Sequence, residues 1–420
     1  MNVGVAVIDI TPPPGLLMSG FAARTEPALG AHDPLTVRAL VVGDTALVTV
    51  DVVGLHEDMV AAIRARAGLP DGNVVVTAIH THGAPISQVG RLGDAPDPAF
   101  LQAIEDGCVA AIAAARADAR PATLAIGMGD DPDVARNRRH DDGLVDRALP
   151  VLRFRDAAGT VFAVLVSYGL HPVVLGADNR LMTADYVHYV RAEIEAACPG
   201  AVAVFATGCC GDVNNGHTPH ESWTLAANPD RSFEMAERLG RRIGKAALAA
   251  GEAPAGDGLA TYAADVMLRL TRLETESMPV LAERWRAERA TETDPVTQTV
   301  LDCWVGWAEK FSNQPPGTWT GRVNVFDWGG VPVVALPGEI FAETALLIRA
   351  ALGDRPAFVL SYANGTPGYI PPASEFVHGG YEVDEAHRFI GMPGTFAPGS
   401  AESLAGAAQA LLGVAGLARH

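Results

Sequence analysis

Disulfide potential, positive charge and long apolar runs are all scarce in this 420-residue chain, and each scarcity excludes a class of protein. The cysteines Cys108, Cys198, Cys209, Cys210 and Cys303 are odd in number and contain no CxxC pair. That fits reduced thiols better than a disulfide framework or a cysteine-based zinc site, and the neighbours Cys209 and Cys210 read as small buried packing residues. Lysine is scarce and the formal charge is −18, which argues against a nucleic-acid or anionic-membrane partner, since either needs a basic face. No stretch reaches the ~18–20 uninterrupted apolar residues of a membrane span. The start, MNVGVAVIDITPPPG, has no basic region ahead of a long apolar run. No membrane span and a cytoplasmic location are therefore expected.

What the chain does have is apolar sequence in short, punctuated pieces. Hydrophobic residues make up 49% of it, enough for a sizeable core. Strands are expected at Gly4–Ile10, at Leu35–Asp51 folded about Gly43-Asp44, and along Val74–Ile79. Further strands are expected at ATLAIGMG, VFAVLVSY, AVAVFATG, VPVVAL and AFVLSY. Between them lie helical stretches at Glu57–Ala67, Asp97–Ala117 and the acid-capped TADYVHYVRAEIEAA. The alternation predicts an α/β fold: mixed β-sheets flanked by helices, the site at strand ends. About Leu268–Trp319 reads as a charged helical insertion holding Trp285, Trp304, Trp307 and Trp319; these fit helix-hairpin packing, a pocket wall or an oligomer contact.

Several chemistry-bearing residues stand just past these strands. The first runs into His80 and His82, a pair that could share a metal ion or divide metal binding from proton transfer; an HxH pair alone also fits a solvated loop. The strand VFAVLVSY leads to His171, VPVVAL to Pro337-Gly338-Glu339, and AFVLSY to the loop holding Tyr369. In open α/β sheets that edge is where ligands bind. Two imidazoles, a carboxylate and a phenol make a donor set suited to zinc. Glu339 equally fits the acidic first turn of a helix, and Tyr369 a loop aromatic. Arg136, Arg138 and Arg139 concentrate guanidinium in a chain poor in positive charge, suited to holding a carboxylate or carbonyl oxygen or to a solvated loop. Gly20, in MSGFAAR, would let backbone approach a ligand closely.

Taken together, IDITPPPG, MSGFAAR, AIHTHGAP, ARNRR, GLHPVVLG, TADY, TGCCGDVNN, LPGEIFAE and GYIPPASEF resemble the catalytic domain of the neutral/alkaline non-lysosomal ceramidases, over most of the chain. The resemblance implies one zinc ion held by His80, His171, Glu339 and Tyr369. It places His82 and Arg138 on the amide or the product carboxylate, and Tyr381 beside the reacting carbonyl. Departures bear on the substrate: the family's G-D-x-S-P-N loop is Gly211-Asp212-Val213-Asn214-Asn215, so Asn214 stands where the serine would contact substrate, and of the family's acidic pair only Glu375 remains. The expected organisation is one catalytic domain over 1–420 without the family's C-terminal immunoglobulin-like domain or secretion signal, a shorter intracellular relative and a possible homo-oligomer.

The expected activity is zinc-dependent hydrolysis of a small-molecule amide of the N-acyl amine type. Metal-activated water would attack, with His82, Arg138 and Tyr381 as the polar groups around the developing oxyanion. An ester, lactone or carbohydrate-directed enzyme on the same site, and a metal-binding protein without catalysis, are the alternatives.

Overall fold

Three segments of the chain repeat one pattern of strands and helices. The computed structural model, which describes residues 1–93 and 96–418, shows in the first segment the antiparallel strands Asn2–Asp9, Thr36–Val42 and Thr45–Val50, then the helix Glu57–Arg66. Val74–Ala78 follows, parallel to Thr45–Val50. The second segment repeats this with Thr123–Gly129, Leu149–Arg155 and Val161–Tyr168, the helix Tyr186–Ala197, and the parallel strand Val202–Thr207. The third uses Leu259–Thr271, Thr318–Trp328 and Val331–Ala335, the helix Ala342–Leu352, and the parallel strand Phe358–Leu360. A two-residue edge strand completes each as a five-stranded mixed sheet, and a second helix follows each: Pro98–Ala117, Phe233–Ala249 and Ser400–Val414.

Local sequence explains these elements. Val42 pairs with Thr45 across a two-residue loop, and Gly43 at φ +60° supplies the left-handed backbone that such a hairpin requires. The branched run Val74–Val76 is buried throughout, as an inner strand covered on both faces should be. Asp97 accepts from the Phe100 amide and Asp185 from that of Tyr186, each closing a helix start. Pro98–Ala117 is long and apolar enough to cross a bilayer. Its Ile104, Cys108, Ala111 and Ile112, however, are buried in the core it shares with the first sheet.

The inner faces of the sheets share one core. Leu40 and Val75 from the first, Leu152 and Phe154 from the second, and Phe326, Trp328 and Phe358 from the third belong to a single buried cluster; the Trp328 indole donates to Thr45 Oγ1 at 2.9 Å across two sheets. The three parallel strands then meet at their C-terminal ends. Thr77 bridges Ala363 and Gly208 bridges Leu360, while the Ser361 amide donates to the Thr207 carbonyl and Thr207 Oγ1 to that of Ile79. Residues that follow all three strands are thereby brought to one point.

Two expectations need correction. The insertion is helical only over Met278–Thr291 and Pro295–Lys310; its flanks lie in the paired strands Leu259–Thr271 and Thr318–Trp328. Helix also does not begin at Glu339. Glu339–Ile340 pairs in parallel with Tyr369–Ile370, and the helix starts at Ala342. Pro337 and Gly338, at φ +78°, turn the chain so that a further backbone ladder can form first.

A buried ion pair ties the first sheet to a helix of the second segment. Arg191 donates to Asp51 Oδ1 and Oδ2 at 2.8 and 2.9 Å, and Asp51 Oδ2 also accepts from the amide and hydroxyl of Thr36. Both side chains are almost wholly buried. Asp51→Ala, which strands the guanidinium, is expected to cost about 3–5 kcal/mol in urea unfolding, whereas the paired change Asp51→Leu with Arg191→Met should cost markedly less. Equal losses in the two proteins would show that the charge pairing is not what holds this joint.

Candidate metal and substrate site

His80 stands two residues past Ala78, and its backbone is held at φ +70°, a conformation that costs a non-glycine residue of order 1–3 kcal/mol. Its ring stacks on Tyr362, whose centroid is 4.2 Å away and whose own φ is +59°. His80 Nδ1 lies against the Val53 carbonyl and His171 Nδ1 against that of Cys210 at 3.0 Å. A carbonyl accepts only, so each Nδ1 carries a hydrogen, and burial holds His171 well below the usual imidazole range and so neutral. Its Nε2 therefore presents a lone pair.

Those lone pairs converge. His80 Nε2 lies 2.8 Å from His171 Nε2 and 3.1 Å from Glu339 Oε2, which is 3.7 Å from His171 Nε2. Glu339 Oε2 is buried with no hydrogen-bond donor among the described residues. A knot of acceptors without donors is unfavourable in a dry interior and is what a cation completes. Second-shell carbonyls fixing each imidazole are typical of metal ligands. The ring nitrogens of His80, His82 and His171 also lie within 4.8 Å of one another, so His82 is at the same centre.

Around this knot the other residues take distinct places. Tyr369, paired in register with Glu339, has its hydroxyl 3.0 Å from Arg138 Nη2. Arg138 is fixed by Glu382 at 2.8 Å and the Gly211 carbonyl at 2.9 Å. These bonds come from Nε and Nη2, and Arg138 lines the cavity above. Tyr381 also faces that cavity, its ring 5.9 Å from that of Tyr369; burial, and then the Glu339 charge, pushes its phenol up, so it stays a donor. His82 Nε2 is 3.4 Å from His80 Nε2, while its Nδ1 is buried without a partner among the described residues. Burial, His80 and the guanidinium charges of Arg24, Arg138 and Arg231 hold this imidazole well below its ordinary range.

The cavity measures about 630 Å³ and reaches outward from His82, Arg138, Tyr369 and Tyr381. One wall is the helical hairpin, through Trp307 and Phe311, with Phe389 beside them. Trp285, Trp304 and Trp307 surround the Arg388 guanidinium at 5.1, 4.6 and 5.8 Å, so the tryptophans both pack the hairpin and seat it on the segment that carries Tyr381.

Asn214, expected to contact substrate, has another part. It is fully buried and spends its side chain on its own turn, donating to the His217 carbonyl and accepting from the amides of Gly216 and His217. His217, not Asn214, lines the cavity. Arg136 is at the surface with Asp133, and Arg139 pairs with Glu375 and Glu382. Sequence reading missed Tyr362, Glu382 and Arg24. Tyr362 follows a strand end as His80 does, and Glu382 adjoins Tyr381; both had a positional signal, whereas Arg24 had none.

Three sheets thus bring their strand ends to one buried His-His-Glu knot. The family model for the neutral/alkaline non-lysosomal ceramidase N-terminal domain matches residues 1–220, and the chain belongs to this family. It is similar to neutral ceramidase of Drosophila melanogaster, 26% identical over 307 residues, 59% of this chain and 43% of that one. To neutral ceramidase of Pseudomonas aeruginosa it is 27% identical over 272 residues, 56% and 40% of the two chains. The match thus spans less than half the length of these relatives. The solved structure of the Pseudomonas aeruginosa protein shares the fold, with a TM-score of 0.74 at 20% identity over 98% of this chain and 73% of that one.

Gly20 lies against His82. At φ +98° a Cβ here would come within 2.5 Å of His82 Nδ1, so Gly20→Ala must push the imidazole aside. We expect a stability loss of about 1–2 kcal/mol from the backbone strain, a displaced His82 ring, and unaltered metal binding. An undisturbed His82 resonance in the NMR spectrum of the variant would contradict this packing.

Proposed function

We propose that the chain is a zinc-dependent hydrolase of an amide bond. The observation that supports this most is the convergence of His80 Nε2, His171 Nε2 and Glu339 Oε2 beside His82, which lies 3.4 Å from His80 and lines the 630 Å³ cavity. With the Tyr369 hydroxyl these make a two-nitrogen, two-oxygen donor set, which suits zinc. A bound zinc ion supplies Lewis acidity and makes hydroxide available near neutral pH by lowering the pKa of water to about 7.

The chain's own groups do the rest. Arg138, cationic and locked by Glu382, and Tyr381, a phenol kept protonated, present donors where the carbonyl oxygen gains charge in the tetrahedral intermediate. His82, its Nδ1 unpartnered and its ring held neutral, takes a proton at one stage and returns it to the leaving amine at another. The imidazole tautomers stay fixed throughout, because backbone carbonyls hold the rings. The curated relatives are named for ceramide as substrate. For this chain, with Asn214 in place of the family serine, we favour small soluble amides in a cytoplasmic setting.

Two measurements test this reading together. Purified protein should hold close to one equivalent of zinc, lose amidase activity to a chelator and regain it with zinc, and His80→Ala should bind none. Tyr381→Phe should keep its zinc and KM while kcat falls about 10²–10³-fold, the usual loss for one oxyanion donor. Full zinc in His80→Ala would remove the site from the account, and wild-type kcat in Tyr381→Phe would remove that donor.

A further inference from the structure

The cavity is positively charged in a protein whose formal charge is −18. Its described lining contains Arg24, Arg138, Lys310 and Arg388 but only one carboxylate, Asp302. Three of these charges are already matched: Arg138 by Glu382, Arg388 by Glu274 and Asp302 by Arg289. Arg24 and Lys310 have no carboxylate within ion-pair distance among the described residues.

Arg24 is 6% exposed and is held by backbone carbonyls alone. Nη1 donates to Asn179, and Nη2 to Ser19 and, at 2.6 Å, to the carbonyl of His82 itself. Arg231 sits the same way behind the wall, donating to the carbonyls of Glu221, Val173 and Leu175. The two guanidiniums flank the ring of Phe21, at 5.0 and 5.5 Å from its centroid, and Phe21 lines the cavity. In both residues Nε is buried without a hydrogen-bond partner among the described residues. Burial draws Arg24 down to about 9, with Asp178 opposing, so it remains cationic at neutral pH. Asp185, Glu221 and Asp178 act on Arg231 at longer range; burying an arginine with no carboxylate in direct contact is costly, and an arriving anion would supply Arg24 with one. At the mouth, the exposed Lys310 adds a further positive charge.

We infer that the substrate is an amide bearing a carboxylate, of the N-acyl amino acid class, with its anionic end toward Arg24 and His82 and its apolar end against Trp307, Phe311 and Phe389. This rests on the amidase reading and narrows it. The low-dielectric wall strengthens the attraction of the buried charges, and Lys310 steers the anion inward.

The test compares N-hexanoyl-phenylalanine with N-hexanoyl-phenethylamine, which lacks only the carboxylate. On zinc-loaded protein kcat/KM should be at least about tenfold higher for the acid, and the advantage should shrink as salt rises from about 50 to about 500 mM. Lys310→Glu should lower kcat/KM severalfold more for the acid than for the amine derivative. Arg24→Gln would strip the donors from the carbonyls of Asn179, Ser19 and His82, so the second measurement uses unaltered chain: calorimetric binding of both compounds to chelator-treated protein, where no metal can ligate the carboxylate. The acid should bind about tenfold more tightly there. Cleavage of the neutral compound equal to that of the acid overturns this inference and leaves the amidase reading standing. Tighter binding of the acid without cleavage of either supports the anion site and overturns the amidase reading. Equal binding without cleavage overturns both.

Discussion

The Nε2 atoms of His80 and His171 and the Glu339 carboxylate face one another in a buried part of the molecule, and the arrangement is held open from outside. The Val53 and Cys210 carbonyls fix the tautomers of His80 and His171. Without those contacts either ring could turn a hydrogen toward its neighbour and quench the knot by ordinary hydrogen bonding. With them the acceptors cannot satisfy one another, so the site is preorganised for a cation. The left-handed backbone of His80 is part of the same constraint: the strained turn is what lets Nδ1 reach back to Val53 while Nε2 faces His171.

That constraint needs three strand ends at one place, and the repeated architecture provides them. The repeat places Asp51–Val53, His171 and Glu339 after the third strand of each segment, and His80, Cys210–Asp212 and Tyr362–Tyr369 after the parallel fourth. Corresponding positions do different jobs. Where the second and third segments place His171 and Glu339, the first places the Val53 carbonyl and the Asp51 carboxylate that anchors Arg191. The parts thus specialise while the shared core of Phe154, Phe326 and Trp328 keeps the strand ends aligned.

Much of the fold was legible in the sequence because a polar side chain follows the end of each inner strand: the apolar runs before His80, His171 and Glu339 are strands, and these side chains stand at their C-terminal edge. Less was legible where tertiary pairing overrode local signals. Leu259–Thr271 is half-exposed, rich in alanine and charge, and forms a strand because Thr318–Trp328 pairs with it over eleven residues. Glu339 looked like a helix start, yet its amide donates to the Gly368 carbonyl and the residue pairs in register with Tyr369. Asn214 looked like a substrate contact because a serine is expected there, but an amide can bond both ways within its own turn and does so. Arg24 could not be read at all, since its role comes from Ser19, Asn179 and His82 lying around it in space.

The central claim is that the His-His-Glu knot is a metal centre rather than a satisfied polar core. X-ray absorption at the zinc edge of protein purified without added metal tests it most directly. The account predicts about four nitrogen and oxygen neighbours at about 2.0–2.2 Å with the outer-shell scattering of two imidazoles. Sulfur in the inner shell, a six-oxygen shell, or no bound metal in folded protein with His80 and His171 intact would contradict it.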